Sequence, residues 1–129
     1  MSERILIVED ATAIREVIAE YLTGEGYACD AVGTLAEGLA QLRQTPYDCI
    51  LTDLRLPDGE GFALVEAANV CQPHAPKVLM SAHSELEDAL RGLRLGAYDF
   101  VHKPFRQMEE LGHVVRRAVE HRRLIEERE

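Results

Sequence analysis

The chain has 129 residues, a formal net charge of −9 and a hydrophobic content of 47%. This is the length of one domain, and the apolar fraction suffices for one core. The acidic balance argues against direct nucleic-acid binding by this segment, and no apolar run approaches the ~18 residues of a membrane span. Three cysteines without CxxC spacing fit free thiols in a reducing compartment, so we expect a cytoplasmic protein.

Short apolar segments alternate with helical patterns along the chain. The predicted strands are 5–8, 27–32, 48–52, 77–81 and 98–102, and the predicted helices follow them at 12–22, 34–42, 62–71, 84–95 and from about 106 to the end. Alternation with short connections predicts an α/β fold, a doubly wound five-stranded parallel sheet with helices on both faces. In the flavodoxin-like strand order 2-1-3-4-5, sites form where strands one and three end.

Local signals support two of the helix starts. Thr34, followed by Glu37, predicts a capping box at the start of the second helix, and Ser84 with Glu87 predicts one for the fourth. The fourth helix has an apolar face, which consists of Leu86, Leu90, Leu93 and Leu95.

Polar and charged residues follow the strands at one edge of this sheet. Glu9-Asp10 follows strand one, Asp53 follows strand three, Ser81 ends strand four and Lys103 follows strand five. Three clustered carboxylates would repel one another, and a hard divalent cation with oxygen ligands would relieve that repulsion. We therefore predict a site for Mg²⁺, or Mn²⁺ in its place.

Each of these residues also has a simpler interpretation. Asp10 fits a solvated loop position that caps the next helix, Ser81 fits a turn and Lys103 fits a surface lysine. Pro104 fits a cis peptide bond that redirects the chain after Lys103, although few X-Pro bonds are cis.

Taken together, the residues form a pattern that resembles the receiver domain of two-component response regulators, the chemotaxis receiver among them. The matching segments are Glu9-Asp10, Asp53 to Pro57 with Gly61, Ser81-Ala82 and Lys103-Pro104-Phe105. The resemblance covers about residues 3–120, and the strand order 2-1-3-4-5 is taken partly from it.

The resemblance implies a function for each residue. Asp53 would accept a phosphoryl group from a histidine kinase or a phosphotransfer protein. Glu9, Asp10, Asp53 and the backbone carbonyl of Arg55 would hold Mg²⁺. Lys103 would offset the charge of the phosphoryl oxygens, and Ser81 would move to hydrogen-bond one of them.

The resemblance also implies a switch. Phosphorylation would change the face made by helix four, strand five and helix five, and so control a partner or an output domain. Phe100 matches the switch aromatic of the family, although a core residue is the rival interpretation. Arg55 and His83 match two positions that tune the lifetime of the phosphoryl group, although both also fit solvated side chains.

The last helix is longer than the sheet needs. Its three- and four-residue steps predict a coiled-coil-like seam of Met108, Leu111, Val115, Ala118, Arg122 and Ile125, or else one helix that packs on the sheet. We expect a receiver domain at 1–120 and a helical extension at 121–129. The extension would be either a linker to an output domain or the interface of a homodimer.

Two other functions compete with the phosphorylation switch. One is a degenerate receiver that acts by protein contact without phosphate, which the intact set of site residues argues against. The other is an Mg²⁺ phosphatase with an aspartate nucleophile. Such enzymes usually carry a second Asp two residues after the first, and Arg55 occupies that position here. We therefore expect self-directed phosphotransfer and autodephosphorylation without turnover of an external substrate.

Overall fold

The computed structural model describes residues 2–82, 86–103 and 105–128. It contains five strands in one parallel sheet: β1 (Arg4–Val8), β2 (Ala28–Val32), β3 (Cys49–Asp53), β4 (Lys77–Ser81) and β5 (Asp99–His102). The helices are α1 (Thr12–Gly24), α2 (Leu35–Gln44), α3 (Gly61–Cys71), α4 (Leu86–Arg94) and α5 (Met108–Arg128). The sheet order is β2-β1-β3-β4-β5, so the predicted fold and strand order are confirmed.

The central strands are buried on both faces because their side chains alternate between two apolar layers. Ile5 and Ile7 of β1 pack against a cluster under α1 and α5, and Leu6 and Val8 pack against a cluster under α2 and α3. All four side chains have no exposed surface. A continuous apolar run is therefore what this strand requires.

Most of the predicted boundaries agree with the structure to within one or two residues. One element was not predicted: Arg55–Leu56 and Gly59–Glu60 form a small antiparallel hairpin directly after β3, where the sequence indicated a loop. Its strands are too short to show a periodic pattern in the sequence.

The predicted N-cap of α2 forms, but the return contact of Glu37 reaches the residue before Thr34 instead of the Thr34 N–H. The Thr34 hydroxyl accepts from the Glu37 backbone N–H at 3.1 Å, while the Glu37 carboxylate accepts from the Gly33 N–H at 3.3 Å. Ser84 lies outside the described residues, so the second predicted cap remains a prediction.

Three of the four leucines of the predicted apolar face of α4 point outward, whereas Leu95 follows the helix and packs against the cluster of Leu54 and Leu79. The side chains of Leu86, Leu90 and Leu93 are 73%, 41% and 55% exposed, whereas Gly92 is the buried residue of this helix. A Cβ on Gly92 would meet the Leu79 side chain at 2.7 Å, so α4 approaches the sheet through its glycine. The leucines consequently form an apolar surface on the domain.

The apolar seam of helix α5 packs against the sheet of its own domain. Leu111, Val115 and Ala118 are fully buried in the cluster under α1 and α5, and Arg122 donates to Asp48 at 2.8 Å. These residues of α5 therefore pack on the sheet, as in the second of the two predictions for this helix. None of the described helices is both long and apolar enough to span a lipid bilayer.

Candidate functional site

The register of the sheet brings the predicted residues together. Val8 of β1 lies beside Thr52 of β3, so the next residues along the chain, Glu9 just after β1 and Asp53 at the end of β3, lie side by side. On the other side, Ser81 of β4 lies beside His102 of β5, and the Lys103 N–H donates to the Ser81 carbonyl at 2.7 Å. The carboxyl edge of the sheet thus collects all of them.

A buried ion triad forms the centre of the site. The Lys103 Nζ donates to Glu9 Oε1 at 2.5 Å and to Asp53 Oδ2 at 3.1 Å. Glu9 has no exposed surface and Asp53 is 6% exposed. A buried carboxylate without a partner would destabilise the fold. Lys103 therefore stabilises the folded domain by pairing with Glu9 and Asp53.

The acidic residues fit a divalent cation. Glu9, Asp10 and Asp53 each offer a carboxylate oxygen, and these oxygens lie within 4.8 Å of one another. Hard oxygen donors of this kind suit Mg²⁺. Asp10 is exposed and does not cap α1, whose N-cap is Ala11 without a side-chain cap bond. The capping interpretation of Asp10 is therefore wrong, and its carboxylate is available at the site.

The protonation of the triad follows from burial and from its close contacts. Burial, together with a hydrogen bond to Glu9 and the charge of Glu9, raises the pKa of Asp53 to about 7. Burial also acts to raise the pKa of Glu9, but hydrogen bonds from Lys103, Asp53 and the Ala11 N–H outweigh it and lower that pKa. Burial acts to lower the pKa of Lys103, but the two carboxylates outweigh it and raise that pKa. At neutral pH the ammonium therefore stays charged, and Asp53 is poised to release its proton.

The two predicted switch residues lie on neighbouring strands, Ser81 on β4 and Phe100 on β5. Ser81 is 1% exposed at the end of β4. Phe100 is partly buried and packs against a cluster with Leu54, Phe62 and Leu79. Leu54 directly follows Asp53, so this aromatic ring shares an apolar cluster with the neighbour of the central carboxylate.

Of the two residues predicted to tune the lifetime of the phosphoryl group, Arg55 lies within the described part of the chain. The Arg55 side chain is at the surface, where it donates to Glu60 at 3.0 Å and to Asp88 of α4 at 3.4 Å. It therefore links the hairpin to α4 in this state. His83 and Pro104 lie outside the described residues.

Two supporting residues were missed by the sequence reasoning. Arg15 of α1 donates from Nη1 to the Glu9 carbonyl at 2.8 Å and so holds the loop of the acid pair. Asp58 in the turn of the hairpin accepts from the Leu35 and Ala36 N–H groups at 2.8 and 2.9 Å. No local pattern marks Arg15, whereas Pro-Asp-Gly at 57–59 is a turn signal whose partner lies 22–23 residues away.

Comparisons with known proteins agree with this geometry. Residues 5–116 match the family described as the response regulator receiver domain. The chain is 34% identical to the DNA-binding transcriptional regulator NtrC of Escherichia coli (strain K12) over 117 residues, which are 91% of this chain and 25% of that protein. It is 36% identical to the transcriptional regulatory protein PmrA of Pectobacterium parmentieri over 102 residues, 79% of this chain and 46% of that protein.

A solved structure is also close. The crystal structure of a CheY-like response regulator receiver domain protein from Methanospirillum hungatei JF-1 superposes with a TM-score of 0.91 at 31% identity, covering 95% of this chain and 98% of that one. The chain spans less than half the length of the two curated relatives described above.

The fold and the acidic edge of the sheet define a signalling domain of two-component systems. The chain belongs to the response regulator receiver domain family.

Proposed function

We propose that this domain is a phosphorylation-dependent switch whose phosphoacceptor is Asp53. The contact between Lys103 Nζ and Asp53 Oδ2 carries the proposal, because it places a largely buried cation at the carboxylate that would receive the phosphoryl group. The donor would be a phosphohistidine of a histidine kinase or of a phosphotransfer protein. The three free cysteines support a cytoplasmic location in this proposal. The net charge of −9 supports a segment that does not itself bind nucleic acid.

The transfer exchanges one bond for another. A carboxylate oxygen of Asp53 attacks phosphorus, the O–P bond forms, and the P–N bond to the imidazole breaks. The nitrogen of the departing imidazole keeps the electron pair of that bond. Lys103 remains within reach of the transferred oxygens, and Ser81 on the neighbouring strand would hydrogen-bond one of them.

Glu9, Asp10, Asp53 and the backbone carbonyl of Arg55 would hold the divalent cation. When bound, Mg²⁺ supplies positive charge that stabilises the phosphoryl oxygens during transfer. Without the cation, the carboxylate of Glu9 disfavours further negative charge beside it. We therefore expect both phosphorylation and autodephosphorylation to depend on Mg²⁺, with no turnover of an external substrate.

An apolar groove beside the site fits the phosphoryl donor. It has a volume of about 540 Å³ and is lined by Ile14 and Val17 of α1, by Lys103, and by Phe105 and Met108 after β5. Ile14 and Val17 are 40% and 51% exposed although α1 otherwise packs on the sheet. Because Lys103 belongs to both the groove and the triad, an amphipathic helix bearing the phosphohistidine would dock here next to Asp53.

The output surface in this proposal is the face of α4, β5 and α5. Phe100 connects it to Leu54 through their shared cluster, and the exposed leucines of α4 provide apolar area for a downstream output domain or protein. Arg55 and His83 would tune the lifetime of the phosphoryl group. Self-association through α5 would have to use positions outside its sheet-facing stripe, and size measurement with and without an acyl-phosphate mimic tests it.

Mass spectrometry after treatment with a small phosphodonor and Mg²⁺ tests the phosphorylation. We expect the mass of one added phosphoryl group in the wild type and none in Asp53→Asn. Asp48→Asn is the matched control, because Asp48 immediately precedes the opposite end of β3 and pairs with Arg122 instead. A wild type that gains no mass would favour a receiver that acts by contact alone.

A further inference from the structure

The hairpin after β3 is not stable by its turn alone. Its strands have two residues each, and Pro57 and Asp58 form the turn between Leu56 and Gly59. The turns that suit two-residue hairpins, types I′ and II′, need a positive φ at the first central residue. Proline cannot adopt that φ, so this turn does not match the twist of the strands. Something outside the hairpin must help to hold it.

Asp58 supplies that external contact at the start of α2. Its Oδ1 accepts from the Leu35 N–H at 2.8 Å and its Oδ2 accepts from the Ala36 N–H at 2.9 Å. Thr34 takes the third free N–H, that of Glu37. Asp58 therefore completes the cap of α2 from another part of the chain. Those two backbone N–H groups also lower the pKa of Asp58, which keeps it ionised at neutral pH.

The other end of the hairpin is joined to the site. The Leu54 N–H donates to the Met80 carbonyl and the Leu54 carbonyl accepts from the Gly61 N–H, both at 2.8 Å. The chain is thus fixed immediately after Asp53, and Arg55, whose carbonyl is the expected fourth metal ligand, follows as the first residue of the hairpin. Between these bonds and the turn, Leu56 packs in the cluster under α2 and α3, and Asp58 adds the hydrogen-bonded anchor to α2.

We propose that Asp58 is a positioning residue for the metal site: by tying the hairpin to the start of α2, it holds the Arg55 carbonyl toward Glu9, Asp10 and Asp53. This inference rests on the proposed function, because it assumes that the Arg55 carbonyl binds the cation. Under this proposal, Asp58 affects Mg²⁺ binding as well as the stability of α2.

Titration of the protein with magnesium chloride tests this proposal. The wild type is compared with Asp58→Ala, Asp58→Asn and Thr34→Ala. For each protein, calorimetry measures Mg²⁺ affinity, and NMR measures the change in the ¹³C shift of the Arg55 carbonyl on Mg²⁺ addition. Thr34→Ala is the matched control, because it removes a cap from the same helix end without a contact to the hairpin. We expect Asp58→Ala to weaken Mg²⁺ binding by about tenfold, as loss of an outer-shell partner does, and to reduce the Arg55 shift. Asp58→Asn keeps one acceptor oxygen and should fall between Asp58→Ala and the wild type.

The outcomes separate the two proposals. If the wild type binds Mg²⁺ and Asp58→Ala and Asp58→Asn bind it equally well, the positioning function is refuted while the metal site stands. The same conclusion follows if Thr34→Ala weakens binding as much as Asp58→Ala, because the effect would then be that of a less stable helix. If the wild type shows no Mg²⁺ binding, the metal site is refuted and the inference with it.

Discussion

Substitution of Gly61 by alanine tests the backbone contact behind Asp53, the proposed phosphoacceptor. Gly61 begins α3, and a Cβ there would lie closer than 3.0 Å to the Asp53 carbonyl oxygen and 3.2 Å from the Thr52 Cγ2. The first obstacle is backbone, which cannot rotate away as a side chain can. The start of α3 or the end of β3 would have to move by roughly half an ångström, and overpacking of this kind costs about 1–3 kcal/mol.

The expected loss appears in two measurements. Urea denaturation should show Gly61→Ala to be less stable by about 1–3 kcal/mol. Phosphorylation by a small phosphodonor should slow by about tenfold, because displacement of a reacting group by 1 Å can cost about a hundredfold.

The control is the same substitution at a glycine with open space. A Cβ on Gly24, the last residue of α1, has no atom within 4 Å. Gly24→Ala should therefore leave phosphorylation unchanged and stabilise the protein by up to about 1 kcal/mol. Equal stability and equal phosphorylation in Gly61→Ala and the wild type would refute the reasoning about the Asp53 carbonyl.

Three further predictions concern the triad, the tail and the surface leucines. Without divalent cations, unfolding free energy should fall as pH rises from about 4 to about 7, because folded Asp53, with a pKa of about 7 against 3.8, keeps a proton that the unfolded chain releases. Asp53→Asn should remove this slope in urea denaturation, and an unchanged slope would contradict the raised pKa. Removal of residues 121–129 should cost about 1 kcal/mol, because Arg122 donates to Asp48 at 2.8 Å and the His121 ring packs tilted against the Tyr98 ring, with centroids 5.2 Å apart. No loss would support a domain that ends at residue 120. Leu93→Gln should change stability by less than about 0.5 kcal/mol, whereas Leu79→Ala under α4 should cost about 2–5 kcal/mol. A large loss in Leu93→Gln would show that this leucine is not a surface residue.

The sequence was most informative where local rules and burial agree. The continuous apolar run of β1 predicts a strand buried on both faces, and Ile5 to Val8 have no exposed surface. The predicted Thr34 N-cap also forms, because Thr34 and the Glu37 N–H that it accepts from lie within one helical turn. With the strand order taken partly from the family resemblance, the parallel sheet predicts that Glu9, Asp53 and Lys103 converge at its carboxyl edge.

Sequence reasoning was weaker wherever a partner lies far along the chain. The leucines of α4 look like a core face, but the helix approaches the sheet through Gly92 and leaves them at the surface. The stripe on α5 looks like a coiled-coil seam, but the same spacing serves a helix that covers its own sheet. A helical repeat identifies an apolar face without identifying what covers it.

The sequence by itself thus determined the strand and helix order and the identity of the residues at the carboxyl edge of the sheet. Periodicity and turn residues are local properties, and they persist in any tertiary arrangement of these elements. Only the tertiary structure decided that Lys103 contacts both Glu9 and Asp53, that Asp58 caps α2, and that α4 turns its leucines outward. These contacts join residues 22 to 94 positions apart, or depend on which face of a helix meets the sheet, and both are set by packing of the whole domain.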